Sequence, residues 1–284
     1  GQAAHAAGSP HLGRSALDAL ELMNVGVQFL REHVPEDTRM HYAITDAGGA
    51  APNVVQAYAE AVYLLRSPRL EDLADIRQRV INCARGAALM TGTQVDVEFV
   101  KGCSNVLPNT AMEELLIRCA HSIGVPQYDE EELALARALH DSLESPETTL
   151  ARISRLCDSR TRAEVLSHQG EAMYAFVAPH CPTDTPLFSV STDVGDASWC
   201  APTSQISAAA WAADTPAHSW QAVAIGKSSI AHKAMCFAAA VLGLSGAVLM
   251  ADPDALARAK AEFESRTAGR PYACPIPKDV LPHG

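Results

Sequence analysis

The sequence lacks an excess of positive charge. Its 33 acidic and 22 basic side chains give a formal net charge of −11. A surface this negative repels phosphate backbones and anionic lipids, so we expect neither nucleic-acid binding nor docking on a membrane. The composition, 48% hydrophobic and 19% charged, is typical of a folded chain, and the length predicts about two domains.

Several standard site motifs are also missing. The eight cysteines stand singly without a C-x-x-C pair, which gives zinc ribbons and thioredoxin-type motifs no support. We expect free thiols and a cytoplasmic protein. Neither G-x-S-x-G nor H-E-x-x-H occurs. The sequence GKSS at 226–229 looks like the end of a phosphate loop, but Gln221 stands where that motif needs glycine, so we reject it.

The first hundred residues predict a split β-α-β unit. Ser15 can cap a helix that stops at Pro35, and a second helix is expected from about 70 to 90, ended by Gly92. Apolar alternation predicts strands over 39–46, 59–68 and 94–100. The order helix, strand, strand, helix, strand omits the first strand of the unit. We expect that strand just before Gly1, so the chain is expected to start inside a domain.

The remaining residues predict an α/β layer. A helix is expected from about 110, and apolar segments predict strands over 174–179, 186–191 and 205–213. Ser228 or Ser229 can cap a helix through Met250 whose uncharged run, 234–251, is marginal in length for a membrane span. We expect a buried helix there. Asp252 and Pro253 then begin a last helix.

Four segments carry candidate site residues. His5 lies among small residues in a Gly/Pro loop, where backbone and substrate can approach closely. STDVGDASW, residues 191–199, follows a predicted strand, and ligands of open α/β sheets bind at the carboxyl ends of strands. His218, after a predicted strand and a Pro turn, could ligate a metal. For His232, in the first turn of the apolar helix, we prefer a packing or capping role.

Taken in order, these segments carry a family resemblance. GQAAHAAGSPHLGRSALDA, GGAAPNVV, LLRSP, STDVGDASW, TPAHSWQ and YACPIP together resemble the aminoacylase and carboxypeptidase G type of dimetal amidohydrolases, peptidase family M20. The resemblance implies an α/β fold with two parts. Residues 1–108 would form a lid or dimerisation domain with a four-stranded sheet and two helices, its first strand truncated, and 109–284 the C-terminal portion of the catalytic domain.

The resemblance also implies roles for residues of the lid. His5 matches a lid histidine that reaches a neighbouring subunit's site and polarises the scissile carbonyl. Asn53 and Arg66 match lid residues that hold the substrate carboxylate, and Arg suits that task by its bidentate geometry.

In the second part of the chain, the resemblance implies one metal ligand and a loop beside the substrate. His218 matches a late metal ligand of the family, with His232 as the fallback. Asp193 and Asp196 match the substrate-side loop.

The implied activity is metal-assisted hydrolysis of the amide bond of an N-acyl amino acid, with an acyl-glutamate such as p-aminobenzoyl-glutamate as the expected substrate. The expected metal is divalent, zinc first and manganese or cobalt as alternatives. The family's other ligands, a His-x-Asp pair, a bridging Asp and a Glu-Glu pair, lie before the lid and are absent from this chain. The lid is expected to form a homodimer or heterodimer. The rival hypothesis is a non-catalytic lid and dimerisation subunit that completes a partner's active site.

Overall fold

The computed structural model describes residues 1–144, 150, 153–154, 157–180 and 191–280. The chain divides into two compact units. The first unit comprises Gly1–Asn105 together with the described residues from Cys274 on, and the second comprises Val106–Ala273. The division into domains 1–108 and 109–284 stays a prediction.

The first unit contains two helices and a hairpin-like pair of strands. Its elements are α1 (Ala16–Leu30), β1 (Arg39–Asp46), β2 (Glu60–Arg66) and α2 (Leu70–Thr91). The predicted cap of α1 is confirmed, since the Ser15 hydroxyl accepts a hydrogen bond from the Asp18 N–H at 3.0 Å. The predicted end of α2 is confirmed as well. Gly92 follows it with φ of 65°, a left-handed conformation that a residue without Cβ adopts readily.

The two predicted strands pair antiparallel, with Met40 opposite Leu65 and Arg39 opposite Arg66. One face of this sheet packs on the helices, because Met40 joins a core cluster with Val27, Leu30, Ile76 and Val80. Within the described residues the sheet has two strands, so the four-stranded sheet that we expected is not supported. The fold class is nevertheless mixed helix and strand.

The strand predicted over 94–100 is wrong. These residues have no strand conformation, and Val95, Val97 and Val100 are exposed. An alternating apolar pattern becomes a strand only where a neighbouring strand can bond to its N–H and C=O groups. In the described part of the chain, β1 and β2 pair with each other alone.

The second unit is mainly helical. The helices with described bounds are α3 (Thr110–Ile123), α4 (Glu130–Asp141), α5 (Ser159–Leu166), α6 (Val194–Ser198), α7 (Trp220–Ile225), α8 (Ser229–Ala251) and α9 (Pro253–Thr267). The first turn of α3 is tied to α9 by side chains. Glu262 accepts hydrogen bonds from the N–H groups of Thr110 and Ala111, both at 2.9 Å, and Asn109 caps the helix at Met112 N. These bonds satisfy three N–H groups that no intrahelical carbonyl can reach.

The strands predicted over 174–179 and 205–213 are wrong, since both segments have irregular backbone. The second segment is rich in alanine, which lacks the branched or aromatic side chain that strands favour. The first ends at a proline, which cannot donate to a ladder. The predicted strand over 186–191 lies outside the described residues except for its last position.

Helix α8 begins after its predicted cap, Ser228, whose hydroxyl accepts from Ala231 N at 3.4 Å. The prediction that it is buried is wrong for most of its surface. Ile230, Ala234, Val241 and Ser245 are buried on one side, whereas Met235 and Met250 are 64% and 85% exposed. By length and composition alone, α8 is also long and apolar enough to cross a membrane. Core helices of water-soluble proteins meet the same two criteria. The apolar pattern predicted the helix correctly, but it does not specify what covers the helix.

The cysteines are mostly free thiols, as expected: Cys83, Cys103, Cys119, Cys200, Cys236 and Cys274. Cys157 is disulfide-bonded, so the expectation of free thiols is wrong at that residue.

Candidate functional site

His5 is held by the backbone of its own turn. Its Nδ1 accepts hydrogen bonds from the N–H groups of Gly8 at 2.8 Å and Ala7 at 3.2 Å. A nitrogen that accepts two hydrogen bonds carries no proton, so the neutral ring carries its proton on Nε2. The residue is exposed, and Nε2 has no hydrogen-bond partner in the part of the chain that the structure describes. His5 therefore presents an oriented N–H donor to a ligand.

Asn53 lies beside His5 because the two chain segments pair. His5 forms an isolated antiparallel bridge with Val54, and the Ala6 N–H donates to the Asn53 carbonyl at 2.9 Å. The Val55 N–H donates to the Ala4 carbonyl, also at 2.9 Å. The Asn53 residue is exposed, and its backbone lies beside that of the His5 turn. The structure thus brings together two residues that are 48 positions apart in the sequence.

Arg66 is in the same unit but at another place. It is the last residue of β2 and pairs with Arg39, whereas residues 53–56 precede the first residue of that strand, Glu60. At about 3.3 Å per residue, β2 is roughly 20 Å long. Within one chain, therefore, the structure does not place Arg66 beside His5. Arg66 is half-buried and makes contacts of its own.

Asp193 and Asp196 flank the first turn of α6. Asp193 precedes the helix and is exposed, while Asp196 is half-buried and accepts a hydrogen bond from the Tyr272 hydroxyl at 2.9 Å. The buried Ser198 anchors the helix, since its hydroxyl accepts from Leu107 N at 2.8 Å and donates to the Gly195 carbonyl at 2.5 Å. The substrate role of the two aspartates stays a prediction, but the segment that carries them is fixed by buried hydrogen bonds.

His218 lies in an exposed turn that is unusual in its backbone. Its φ is 65° and that of Asp214 is 58°, both in the left-handed region that side chains rarely adopt. Non-glycine residues in this region cost energy and cluster at functional sites. The turn is held at Asp214, which accepts from the Tyr174 hydroxyl at 2.9 Å, and at Ser219, which caps α7. Burial and the bond to Asp214 raise the pKa of Tyr174.

His232, the fallback metal ligand, is exposed in the regular first turn of α8, where its N–H donates to the Ser228 carbonyl at 3.2 Å. Its backbone shows no strain. The backbone of His218 thus differs from that of His232, and the choice between them as metal ligand stays a prediction.

A complete metal site is not formed by the described residues. No group of three or more His, Cys, Asp or Glu side chains among them is arranged to hold a metal ion. A protein zinc site needs three or four ligands fixed in space. The chain by itself consequently does not fit the divalent metal that the family resemblance implies, whichever histidine is considered.

Sequence reasoning missed the groups that hold these residues in place. The N–H groups that orient His5 belong to Ala7 and Gly8, and the only signal for them was the run of small residues that allows a tight turn. Tyr272, the partner of Asp196, is 76 residues away in sequence. No local pattern could have indicated that contact.

Similarity to known proteins agrees with the resemblance that the sequence motifs carry. Residues 1–91 match the sequence profile of the peptidase dimerisation domain of the M20 family. The chain is 44% identical over 284 residues to a subunit of the p-aminobenzoyl-glutamate hydrolase of Escherichia coli (strain K12), covering 99% of this chain and 59% of that protein. Residues 1–91 thus resemble an M20 dimerisation domain, and the whole chain is similar to part of that hydrolase subunit.

Two Xaa-Arg dipeptidases are more distant relatives. The protein of Mus musculus is 37% identical over 113 residues, which is 39% of this chain and 26% of that protein. The protein of Homo sapiens is 30% identical over 126 residues, 44% of this chain and 29% of that protein. The chain thus spans 59% of the bacterial relative and smaller parts of the mammalian ones.

Proposed function

We propose that this chain is part of an M20-type amidohydrolase that cleaves the amide bond of an N-acyl amino acid, with an acyl-glutamate such as p-aminobenzoyl-glutamate as substrate. The name of the bacterial relative, a p-aminobenzoyl-glutamate hydrolase subunit, supports this substrate class. Asn53 and Arg66 are the proposed carboxylate-binding residues, Asp193 and Asp196 the proposed substrate-side loop, and His218 the proposed metal ligand.

The observation that carries the proposal is the hydrogen bonding of His5. Amide hydrolysis develops negative charge on the carbonyl oxygen, and a positioned donor stabilises that charge. The two backbone N–H groups on Nδ1 fix the proton on Nε2 and fix the ring in the same turn. The donor is thus oriented before the reaction, without needing a protonated imidazole. Such a donor is typically worth roughly a hundredfold or more in rate.

The test is a substitution at His5 in an assembly that hydrolyses p-aminobenzoyl-glutamate. His5→Ala should lower kcat about a hundredfold while changing KM little, because the donor acts on charge that exists only in the transition state. His11→Ala is the matched control, since His11 is an exposed loop histidine in the same segment. An unchanged kcat in a folded His5→Ala protein would remove His5 from the reaction.

A second candidate function is favoured by the lack of a ligand cluster among the described residues. In this version the chain is a non-catalytic lid and dimerisation subunit that supplies His5 to a partner's active site. The two candidates differ at His218. Its substitution by alanine should abolish hydrolysis if the second unit forms part of the catalytic site, and should leave hydrolysis intact if the chain acts through its lid alone.

The dimerisation domain over residues 1–91 supports a multimeric assembly in either case. A homodimer and a heterodimer are the two alternatives. Analytical ultracentrifugation of the chain, alone and with the polypeptide that completes its active assembly, distinguishes them. A chain that stays monomeric in both samples would contradict the multimer.

A further inference from the structure

The two strands of the first unit place two arginines side by side. Arg39, the first residue of β1, is the direct cross-strand partner of Arg66, the last residue of β2. Directly opposed residues of an antiparallel pair project from the same face of the sheet, with Cβ atoms about 5 Å apart. Like charges in this arrangement repel each other and destabilise the pair. The strand register thus places a second guanidinium beside Arg66, the proposed carboxylate-binding residue.

The guanidinium of Arg39 is already anchored at one end. Its Nη1 donates to the carbonyl oxygens of Glu36 and Thr38, both at 2.8 Å. Its Nε and Nη2 make no hydrogen bond in the described part of the chain, and the neighbouring Glu36 and Asp37 form no ion pair with it there. The edge formed by Nε and Nη2 is one that binds a carboxylate through two parallel hydrogen bonds. Anchoring at Nη1 reduces the side-chain entropy lost when a ligand binds.

The rest of this face fits an organic anion better than a simple ion. Arg39, His41 and Ala43 of β1 lie opposite Arg66, Leu64 and Val62 of β2. Leu64 and Val62 are 46% and 45% exposed, so an apolar surface continues directly from the two guanidinium groups. None of these six positions carries a negative charge. The face therefore combines two arginine side chains with an accessible apolar strip.

We propose that Arg39 is a specificity-determining residue that binds a second carboxylate of the substrate and so selects N-acyl amino acids with an acidic side chain. This inference rests on the proposed function, in which Arg66 holds the carboxylate common to all N-acyl amino acids. In an acyl-glutamate the second carboxylate is separated from the first by a short side chain, and cross-strand neighbours offer two guanidinium groups at a comparable spacing. Arg39 acts on binding and takes no part in bond cleavage.

The first test compares p-aminobenzoyl-glutamate with p-aminobenzoyl-glutamine, whose side chain is neutral, in an assembly that hydrolyses the former. Arg39→Gln should lower kcat/KM for the glutamate substrate about tenfold to a hundredfold, mainly through KM, because a hydrogen bond to a charged group contributes that much. The glutamine substrate should change less than about threefold. Arg39→Lys should restore part of the loss, since lysine keeps the charge without the planar fork.

The control variant is Arg85→Gln, which removes an exposed arginine from α2 of the same unit and should alter neither substrate. Equal losses on both substrates, or no loss on the glutamate substrate, would overturn the role of Arg39. The role would also be overturned if Arg39→Gln kept the preference of the unmodified assembly for the glutamate substrate over the glutamine substrate.

The second test does not depend on hydrolysis. Titration of the 284-residue chain with N-acetylglutamate should shift the side-chain Nε–H NMR signal of Arg39, whereas N-acetylglutamine should leave it in place. A shift without any hydrolysis of acyl amino acids would contradict the proposed function and leave the binding role of Arg39 standing. The absence of a shift at millimolar ligand, in a sample whose other signals show a folded chain, would contradict the binding role itself.

Discussion

Gly8 donates its backbone N–H to Nδ1 of His5 across 2.8 Å, and this contact determines which nitrogen of the ring carries the proton. We expect ¹⁵N NMR of the neutral imidazole to show an unprotonated Nδ1 and a protonated Nε2. His11, whose ring nitrogens take part in no hydrogen bond in the described part of the chain, should show a mixture of tautomers and serves as the internal reference. A dominant Nδ1–H form at His5 would contradict the donor role, because the proton would then lie on the wrong nitrogen.

Glu132 should contribute to resistance against acid. It closes a capping box with Asp129 at the start of α4 and accepts a hydrogen bond from the Lys233 ammonium at 2.6 Å. The bonds from Lys233, from Ser229 and from the Asp129 N–H lower the pKa of Glu132 from 4.5 to about 2. A carboxyl whose pKa is lowered by folding stabilises the native state fully above pH 4.5 and loses that contribution as the pH falls towards 2.

Glu132→Gln should therefore lower the free energy of unfolding at neutral pH. Its deficit relative to the unmodified chain should shrink as the pH falls from 4.5 to 2, as urea denaturation at a series of pH values would show. Glu131→Gln is the control, since Glu131 is the exposed neighbour in the same turn. A deficit that stays constant over this pH range would mean that the ion pair does not set the ionisation of Glu132.

Asn109 should be the residue whose loss most weakens the joint between α3 and α9. Its side chain accepts from Met112 N at 3.0 Å and donates to the Ala259 carbonyl at 2.8 Å, and the residue is 2% exposed. Asn109→Ala removes a helix cap and the additional hydrogen bond to the Ala259 carbonyl, so we expect a loss of about 1 to 3 kcal/mol. Asn109→Ser keeps a capping oxygen and should lose less. Equal stability of the alanine variant and the unmodified chain in denaturant unfolding would show that the joint does not depend on Asn109.

The sequence predicted helix ends well, but it did not predict which segments pair as strands. Ser15, Gly92 and the Asp252-Pro253 pair marked helix ends correctly, because caps are decided by the residues next to them. The alternation in 39–46 predicted β1 with its observed bounds, yet the same pattern in 94–100 gave no strand. The difference is a partner: β2 pairs with the first segment, and no described strand pairs with the second.

The same limit applies to the candidate site. His5 could be selected from its small neighbours, but its tautomer depends on where two N–H groups of a turn point, which no spacing encodes. Arg39 and Arg66 become neighbours only through the register of the two strands. The sequence predicted both strands but not their register. The family resemblance could therefore indicate Arg66, but nothing in the sequence indicated that Arg39 lies opposite it.

Metal binding should require more than this chain. The described residues contain no group of three potential ligands, and the chain spans 59% of its bacterial relative. Most of the affinity of a metal site comes from several ligands held together and oriented by their hydrogen-bond partners. The isolated chain should therefore purify with little stoichiometric zinc and no amidase activity. Supplying the segment equivalent to the unmatched part of that relative should recover both, measured by elemental analysis beside an assay on p-aminobenzoyl-glutamate.

In that restored assembly the two histidines of the second unit should behave differently. His218, in its strained turn, should be a ligand, so His218→Ala should remove one metal equivalent and with it the activity. His232→Ala should leave the metal content unchanged, because His232 lies in a regular helical turn. Tightly bound metal in the isolated chain would contradict the first expectation. Loss of metal on changing His232 but not His218 would show that the helical histidine, rather than the one in the turn, is the ligand.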